Sequence, residues 1–325
     1  MAGDILFLAE FVDGRASRAA QELASGAAGL AGEAGGAAVG LAYGAGATAG
    51  AAELGRFGAS RVVVLGEAGP AIGVAGAAAA AVRESQAMAL LVPATPNGRD
   101  IAAALVGALD LPAFGPARGV RIVDGVVRSE QATLQGAFIT VSEPVPGAPT
   151  PAVVLIPANT FTPEEGGSAE AEVSAAPSAA GGRLGEVSIV ESVAAEQASV
   201  NLEEASVIVA GGRGVGGEEG FETLRQLADV LGGAVGASRA AADAGWVAYQ
   251  LQIGQTGKVV KPSLYIGVGI SGAIQHRVGM QTAEHVIAIN KDPDAPIGEF
   301  ADLFVVGDLF AIVPRLTDEL RSRKR

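Results

Sequence analysis

Cysteine is absent from this chain, and histidine occurs only twice, as His276 and His285. No disulfide, thiolate metal ligand or cysteine nucleophile is available, which agrees with a reducing compartment. Two histidines also argue against a multi-histidine metal centre. Redox chemistry would have to be borrowed from an organic cofactor. Basic residues are scarce as well: 22 Lys and Arg stand against 35 Asp and Glu, a formal charge of −13. Nucleic acid is a poor partner for such a surface, because its phosphates demand clustered Lys and Arg. Only the terminal Arg321-Ser-Arg-Lys-Arg325 is basic, and it suits the C-terminal end of a helix. Apolar runs long enough to span a bilayer are missing too, since glycines and charges interrupt the Ala/Gly-rich stretches. Met1-Ala-Gly-Asp4 leads into a strand without a basic-plus-apolar leader. The expectation is a soluble, cytoplasmic protein with no membrane insertion.

What is present is enough chain, 325 residues, for two domains that each bury a core. Through residue 109 strand and helix candidates alternate. Strands are expected at Ile5–Ala9, Ala37–Leu41, Arg61–Leu65 and Ala89–Val92, and helices at Arg18–Leu30, Ala47–Phe57 and Ile72–Ser85. Asn97-Gly-Arg-Asp100 is read as the cap of a further helix ending near Leu109. Alternation of this kind predicts a mostly parallel sheet covered on both faces. After Pro116 come short strand candidates, Gly119–Val123, Val126–Arg128, Ala132–Val141 and Ala152–Ile156, expected to extend the same sheet, with Asp124-Gly125 as a tight turn. Residues 162–185 lack apolar periodicity and read as a surface connection. Alternation resumes at Val187, Ile189 and Val193. The reading is an α/β chain whose first domain covers residues 1–198 and whose second covers 199–325.

The second domain opens on Val207-Ile-Val209, followed by five glycines, Gly211, Gly212, Gly214, Gly216 and Gly217. Phe221, Leu224, Leu227, Ala228 and Leu231 then recur at helical spacing. Strand, glycine loop and helix together form an anion site, because glycines admit a ligand close to the main chain and a helix N-terminus supplies unpaired N–H groups. Gly212-x-Gly214-x-x-Gly217 fits the dinucleotide fingerprint, and Ala234–Gly236 is the second strand that a βαβ unit requires. The acidic residue that normally follows that strand is replaced by Ser238-Arg239. Arg239 could meet a 2′-phosphate, as in an NADP site, or another electron-rich group; spacing does not choose.

Two further segments add polar groups. Gln252-Ile-Gly-Gln-Thr-Gly-Lys258 is a glycine-spaced loop whose amides and hydroxyl suit the edge of a heteroaromatic ring. Leu264–Ile270 is a buried-type strand running into Ser271-Gly272, with Gln275 and His276 just inside the next helix. Val286–Asn290 and Leu303–Asp308 are strands ending in polar residues, as ligand-facing strands of parallel sheets do. Leu309–Leu320 closes the chain as a helix with Phe310, Val313 and Leu316 on one side.

Six ordered blocks carry a resemblance: Arg213-Gly-Val-Gly216, Val235-Gly-Ala-Ser-Arg-Ala-Ala241, Gln255-Thr-Gly-Lys258, Leu264-Tyr-Ile266, Gly269-Ile-Ser-Gly-Ala-Ile-Gln-His276 and Ile287-Ala-Ile-Asn-Lys-Asp292. The chain resembles the electron transfer flavoprotein α subunit (large subunit) family. The resemblance runs to the C-terminus, with looser similarity in the N-terminal half. It implies a nucleotide-hydrolase-like parallel sheet in the first domain, which supports a partner and holds no cofactor, and a Rossmann-like, doubly wound FAD-binding second domain. It implies one FAD, an obligate β subunit, acyl-CoA or other dehydrogenases as electron donors in pathways such as fatty acid β-oxidation, and a quinone oxidoreductase as acceptor.

By the same resemblance Arg239 stands over the flavin and His276 at its pyrimidine end, both tuning its potential. Gln252, Gly254, Gln255 and Thr256 line the isoalloxazine edge. Ser238, Ser271 and Gly272 serve the phosphates or ribityl chain, with Arg213 and Gly214 beside them, and Gly269 and Gln275 also bind the cofactor. Asn290 and Asp308 lie on the adenosine side, and Leu309 is a further cofactor-binding position. His285 has no matching role, and Trp246 and Tyr249 are assigned none. An NADP-dependent oxidoreductase, built on the glycine loop and Arg239, and a non-catalytic nucleotide-binding scaffold are the alternatives that the residues by themselves leave open.

Overall fold

Strand β1 (Ile5–Val12) is apolar on both faces: Ile5, Phe7, Ala9 and Phe11 enter one core, Leu6 and Leu8 the other. A central parallel strand covered on both sides requires this. The computed structural model describes residues 3–67, 70–134, 138–166, 170–176, 189–191, 202 and 205–323. The chain divides into two compact units, Met1–Ala194 and Ala195–Arg325. The expected boundary at 198/199, and Val187 and Val193 of the resumed alternation, lie outside the described residues.

In the first unit, the short β2 (Arg15–Ala16) pairs antiparallel with β1. The other strands are β3 (Ala38–Gly44), β4 (Arg61–Gly66), β5 (Ala89–Pro93) and β6 (Ala113–Phe114), then β7 (Gly119–Val123), β8 (Val126–Thr133), β9 (Phe138–Ser142), β10 (Ala152–Ile156) and β11 (Glu172–Ala175). The main sheet runs β11-β4-β3-β1-β5-β10-β6, all parallel along this path. Helix α1 (Arg18–Ala34) is capped by the Ser17 hydroxyl, which accepts from the Ala20 N–H. Its Ala20, Leu23, Ala24, Ala27, Leu30 and Ala31 are buried at 3.6-residue spacing.

Four expectations are corrected here. Of the short strands after Pro116, only Ala152–Ile156 joins the main sheet; β7, β8 and β9 form a separate antiparallel sheet. The cause is the Asp124-Gly125 turn, with φ of 53° and 73°, which can join only antiparallel neighbours. Residues 47–57 hold one α-helical turn, α2 (Ala47–Gly50), and then a 3₁₀ stretch, Ala51–Phe57. After α3 (Ala75–Glu84), helix α4 (Pro96–Leu109) is capped not by Asn97–Asp100 but by Thr95, whose hydroxyl accepts from the Gly98 N–H ahead of the proline at its first turn. The stretch read as connection at 162–185 contains β11, an edge strand with four exposed side chains; backbone pairing to β4 holds it, which apolar periodicity cannot signal.

The second unit is a five-stranded parallel sheet of β12 (Val207–Gly211), β13 (Ala234–Ala237), β14 (Leu264–Val268), β15 (His285–Asn290) and β16 (Leu303–Val306), in the order β13-β12-β14-β15-β16. Helices α5 (Glu218–Leu231), α6 (Arg239–Asp243), α7 (Ile274–Met280) and α8 (Leu309–Arg323) complete it. Val209 and Ile266 face a core with Phe221, Leu224 and Leu227 of α5, while Ile208, Ala210 and Tyr265 face the opposite one. A doubly wound sheet with the chain order 2-1-3-4-5 results, its switch point between β12 and β14. In α8 the buried stripe is Leu309, Val313 and Thr317, with Leu316 partly buried against the same core, while Phe310 is 53% exposed and so parts from Val313 and Leu316. Thr317 fits inside because its hydroxyl donates to the Val313 carbonyl, 2.8 Å away; a stripe read from apolar letters alone passes it over.

Candidate cofactor site

Register brings the candidate residues to one edge of the second sheet. Gly211 is level with Ala237 and Val268, Val268 with Ile289, and Asn290 with Val306. The residues that follow these strands, Arg213 and Gly214, Ser238 and Arg239, Gly269 to Gly272, and Asp308 and Leu309, therefore lie along the carboxyl edge, with Asn290 at the end of β15. That is where open parallel sheets bind ligands.

Main-chain hydrogen bonds join these loops. The Ser238 N–H donates to the Gly211 carbonyl (2.9 Å), Gly212 N–H to Val268 (2.9 Å) and Gly214 N–H to Gly269 (3.0 Å). The 252–258 loop is tied in at both ends, by Ile253 N–H to the Ala237 carbonyl (2.9 Å) and Gln255 N–H to the Gln275 carbonyl (2.8 Å). A Cβ on Gly212 would lie 2.3 Å from the Gly269 carbonyl oxygen, and one on Gly214 2.8 Å from the Gly269 Cα. Gly254, at φ +145°, meets the Gln275 carbonyl in the same way, at 2.8 Å. These glycines let the loops meet main chain to main chain. Gly217, the third position of the fingerprint, has nothing within 4 Å; the close helix packing falls to Gly211, whose Cβ would meet Phe221 at 2.6 Å, and Gly220, whose Cβ would meet the Val215 carbonyl at 2.3 Å. The dinucleotide match is thus one of spacing and not of role.

Side chains divide into those already engaged and those left open. Gln252, buried, donates from Nε2 to the Thr256 hydroxyl at 3.0 Å. Asn290 donates from Nδ2 to the Ile270 carbonyl (2.9 Å) and accepts from the Asp292 N–H (3.1 Å), so its amide braces the 269–272 loop. Asp308 caps α8, accepting from the Phe310 N–H at 3.0 Å. The Leu309 side chain sits in the core, which leaves only its main chain to a ligand. Arg239, 67% exposed, makes an ion pair with Asp243 at 3.3 Å, and Asp243 also accepts from the Tyr249 hydroxyl at 3.0 Å. Exposed pairs of this kind contribute about 0–1 kcal/mol, so the guanidinium is easily redirected. Arg213, Gly214, Gln255, Ser271 and Gln275 are exposed on the edge. His285 sits 3.9 Å from Asp302 on the surface.

Among the described residues of this unit, two buried side-chain polar atoms have no hydrogen-bond partner, Ser238 Oγ and His276 Nδ1. Buried polar atoms are nearly always paired, so these two keep hydrogen-bonding capacity unused within the chain. The other nitrogen of His276, Nε2, is 2.7 Å from the Tyr265 hydroxyl. Burial pushes the His276 pKa down to about 4, offset only in part by the Ile253 backbone, which does not meet hydrogen-bond geometry. Tyr265 escaped the sequence reading of site residues. Its one signal was a phenol in an otherwise aliphatic strand, and its partner lies eleven positions on, a spacing no helix or strand repeat reveals. No group of three or more metal-ligating side chains occurs among the described residues. The open cavity of about 560 Å³ lined by Asp4, Leu6, Val39 and Arg61 sits at the amino end of the first unit's strands, the end not used for ligands.

A doubly wound sheet with a prebuilt polar edge defines a cofactor-binding α/β protein. Residues 5–180 match the electron transfer flavoprotein domain, and residues 201–281 match the electron transfer flavoprotein FAD-binding domain. The electron transfer flavoprotein subunit alpha of Syntrophomonas wolfei is 38% identical over 289 residues, 86% of this chain and 88% of that one. Those of Thermoanaerobacterium thermosaccharolyticum and Bacillus subtilis are 60% and 61% identical over 125 and 123 residues, 38% of this chain and 38% of each relative. In these two the matched stretch spans well under half of the relative's length. The chain belongs to the electron transfer flavoprotein α family, and its second unit is a FAD-binding domain.

Two outcomes follow from the geometry. Gly212→Ala should destabilise the second unit by about 1–3 kcal/mol through forced separation of the loops, whereas Gly217→Ala should stay within roughly 0.5 kcal/mol. Urea denaturation checks both, and equal damage at Gly217 would restore the classical fingerprint. The second concerns pH. The unfolded chain binds a proton at His276 near pH 6.5 and the folded chain only near pH 4, so stability is full above pH 6.5 and falls as pH drops toward 4, by up to about 3 kcal/mol. His276→Gln should flatten that part of the pH–stability curve; an unchanged slope would contradict the buried neutral state.

Proposed function

We propose that this chain is the α subunit of a heterodimeric electron transfer flavoprotein, binding one FAD on the carboxyl edge of its second domain and relaying electrons from dehydrogenases to an acceptor such as a quinone oxidoreductase. The observation that carries the reading is the pair of unspent polar atoms, Ser238 Oγ and His276 Nδ1, on an edge within a FAD-binding domain. FAD, when bound, supplies the redox chemistry, accepting and releasing electrons singly. The chain's own residues do the rest. Ser238, Ser271, Gly269, Gly272, Gln275, Arg213 and Gly214 would hold the phosphates and ribityl chain. Gln252, Gly254, Gln255 and Thr256 would border the ring system, and Asn290, Asp308 and the Leu309 main chain the adenosine. Arg239, swinging from Asp243, would place a cation beside the ring and favour its reduced, anionic form.

The domain division at 198/199 belongs to the same reading, the first domain packing on a β subunit. Exposed apolar side chains on and just beyond the antiparallel sheet support a partner: Phe138, Ile139 and Val141 of β9 are 62%, 51% and 59% exposed, and Leu134 and Val145, past the ends of β8 and β9, are 74% and 72% exposed. No helix among the described residues is long and apolar enough to cross a membrane. We place the protein in the cytoplasm, in keeping with its lack of cysteine. Acyl-CoA dehydrogenases of fatty acid β-oxidation are the donors this family suggests.

Co-expressed with its β subunit, the chain should carry one FAD and a flavin visible spectrum. Arg239→Ala should lower the midpoint potential by about 60 mV, equivalent to roughly 1.4 kcal/mol for one electron, with FAD still bound. A colourless complex that retains NADP or AMP alone would overturn the reading.

A further inference from the structure

Tyr265 and His276 form a buried polar pair inside an apolar core. The phenol is 0% exposed and the imidazole residue 7%, their rings are tilted by 58°, and hydroxyl oxygen and Nε2 are 2.7 Å apart. Which atom donates is decided by the proton inventory. A tyrosine hydroxyl has one proton, and burial raises its pKa, so the proton stays on oxygen. The hydroxyl has no other hydrogen-bond partner among the described residues. Were Nε2 to carry a proton and donate, the phenol proton would be stranded in the core, the costly case of a buried unpaired donor. The hydroxyl therefore donates and Nε2 accepts.

The imidazole is neutral, because burial holds its pKa near 4. A neutral imidazole with Nε2 as acceptor must carry its proton on Nδ1. Nδ1 is the buried atom left without a hydrogen-bond partner. Nothing in the pair depends on a bound ligand; the donor is set by the core before any ligand arrives.

We infer that Tyr265 is a positioning residue that locks His276 as its Nδ1–H tautomer, so that the site presents a neutral, fixed N–H donor to an electron-rich oxygen or nitrogen of the flavin. The identity of the acceptor rests on the FAD reading above; the tautomer does not. A fixed neutral donor follows a charge that grows on its acceptor without reorganisation. Removing the phenol leaves the ring free to exchange tautomers and to offer an acceptor lone pair where a donor is needed.

The test labels the full chain with ¹⁵N-histidine and records long-range ¹H–¹⁵N correlations at neutral pH, first without FAD. With two histidines in the sequence, the exposed His285 gives the averaged reference signal, and His276 should show a protonated Nδ1 and an unprotonated Nε2. Tyr265→Phe, which keeps the ring volume, should populate the Nε2–H tautomer and weaken FAD binding roughly five- to tenfold, as loss of one oriented hydrogen bond does. An Nε2–H tautomer in the unmodified chain overturns the proposal, and that measurement needs no variant to fold. An unchanged tautomer in Tyr265→Phe overturns it equally. A shifted tautomer with unchanged FAD affinity removes the flavin as the acceptor and overturns that assignment, while failure of the unmodified chain to bind FAD at all counts against the ligand and leaves the tautomer result standing.

Discussion

The second unit depends on backbone meeting backbone between the loops after its first and third strands. Gly212 and Gly214 lie so close to Gly269 that a methyl group on either would overlap main-chain atoms, and the hydrogen bonds from Gly212 to Val268 and from Gly214 to Gly269 exist only because of that proximity. With these two loops fixed, Ser238 is held through the Gly211 carbonyl, the 252–258 loop through Ala237, and the start of α7 through Gln255 and Gln275. Glycine contributes here by what it lacks, and the entropic cost of restraining it falls in a network that orders four loops at once.

Upon this frame the polar groups fall into two kinds. Gln252, Asn290 and Asp308 spend hydrogen bonds on bracing the loops themselves, whereas Ser238 Oγ and His276 Nδ1 are buried and unspent. The second kind is costly in the free chain and useful with a ligand, the pattern of a site organised in advance. Tyr265 joins the two kinds, since its hydroxyl uses up one nitrogen of His276 and so decides what the other can offer.

Much of the architecture was legible from periodicity. The parallel strands of the first unit, its helices α1 and α4, the β12-loop-α5-β13 unit and the polar strand ends stand close to where apolar spacing puts them. Other features were hidden for definite physical reasons. Strand β11 has four exposed side chains and is held by backbone pairing alone, so no hydrophobic signal announces it. The antiparallel β7 to β9 sheet turns on φ values at Asp124 and Gly125 that forbid parallel pairing, a constraint visible only when turn chemistry is weighed against sheet continuity. Apolar spacing groups Phe310 with Val313 and Leu316, yet Phe310 stands in solvent, while Thr317 is buried because its hydroxyl finds the Val313 carbonyl. At the site, the residue types were readable, but which of them are engaged was not: the Tyr265 to His276 bond and the Asn290 brace join segments that only the parallel register brings together.

The most direct measurement of the central claim, that the carboxyl edge of the second sheet is a prebuilt FAD site, is amide hydrogen exchange of the full chain with and without FAD. The account predicts added protection in 212–217, 238–239, 252–258 and 269–276, with the amino edge of the same sheet unchanged. Protection confined to the first unit, or spread evenly along the chain, would contradict it.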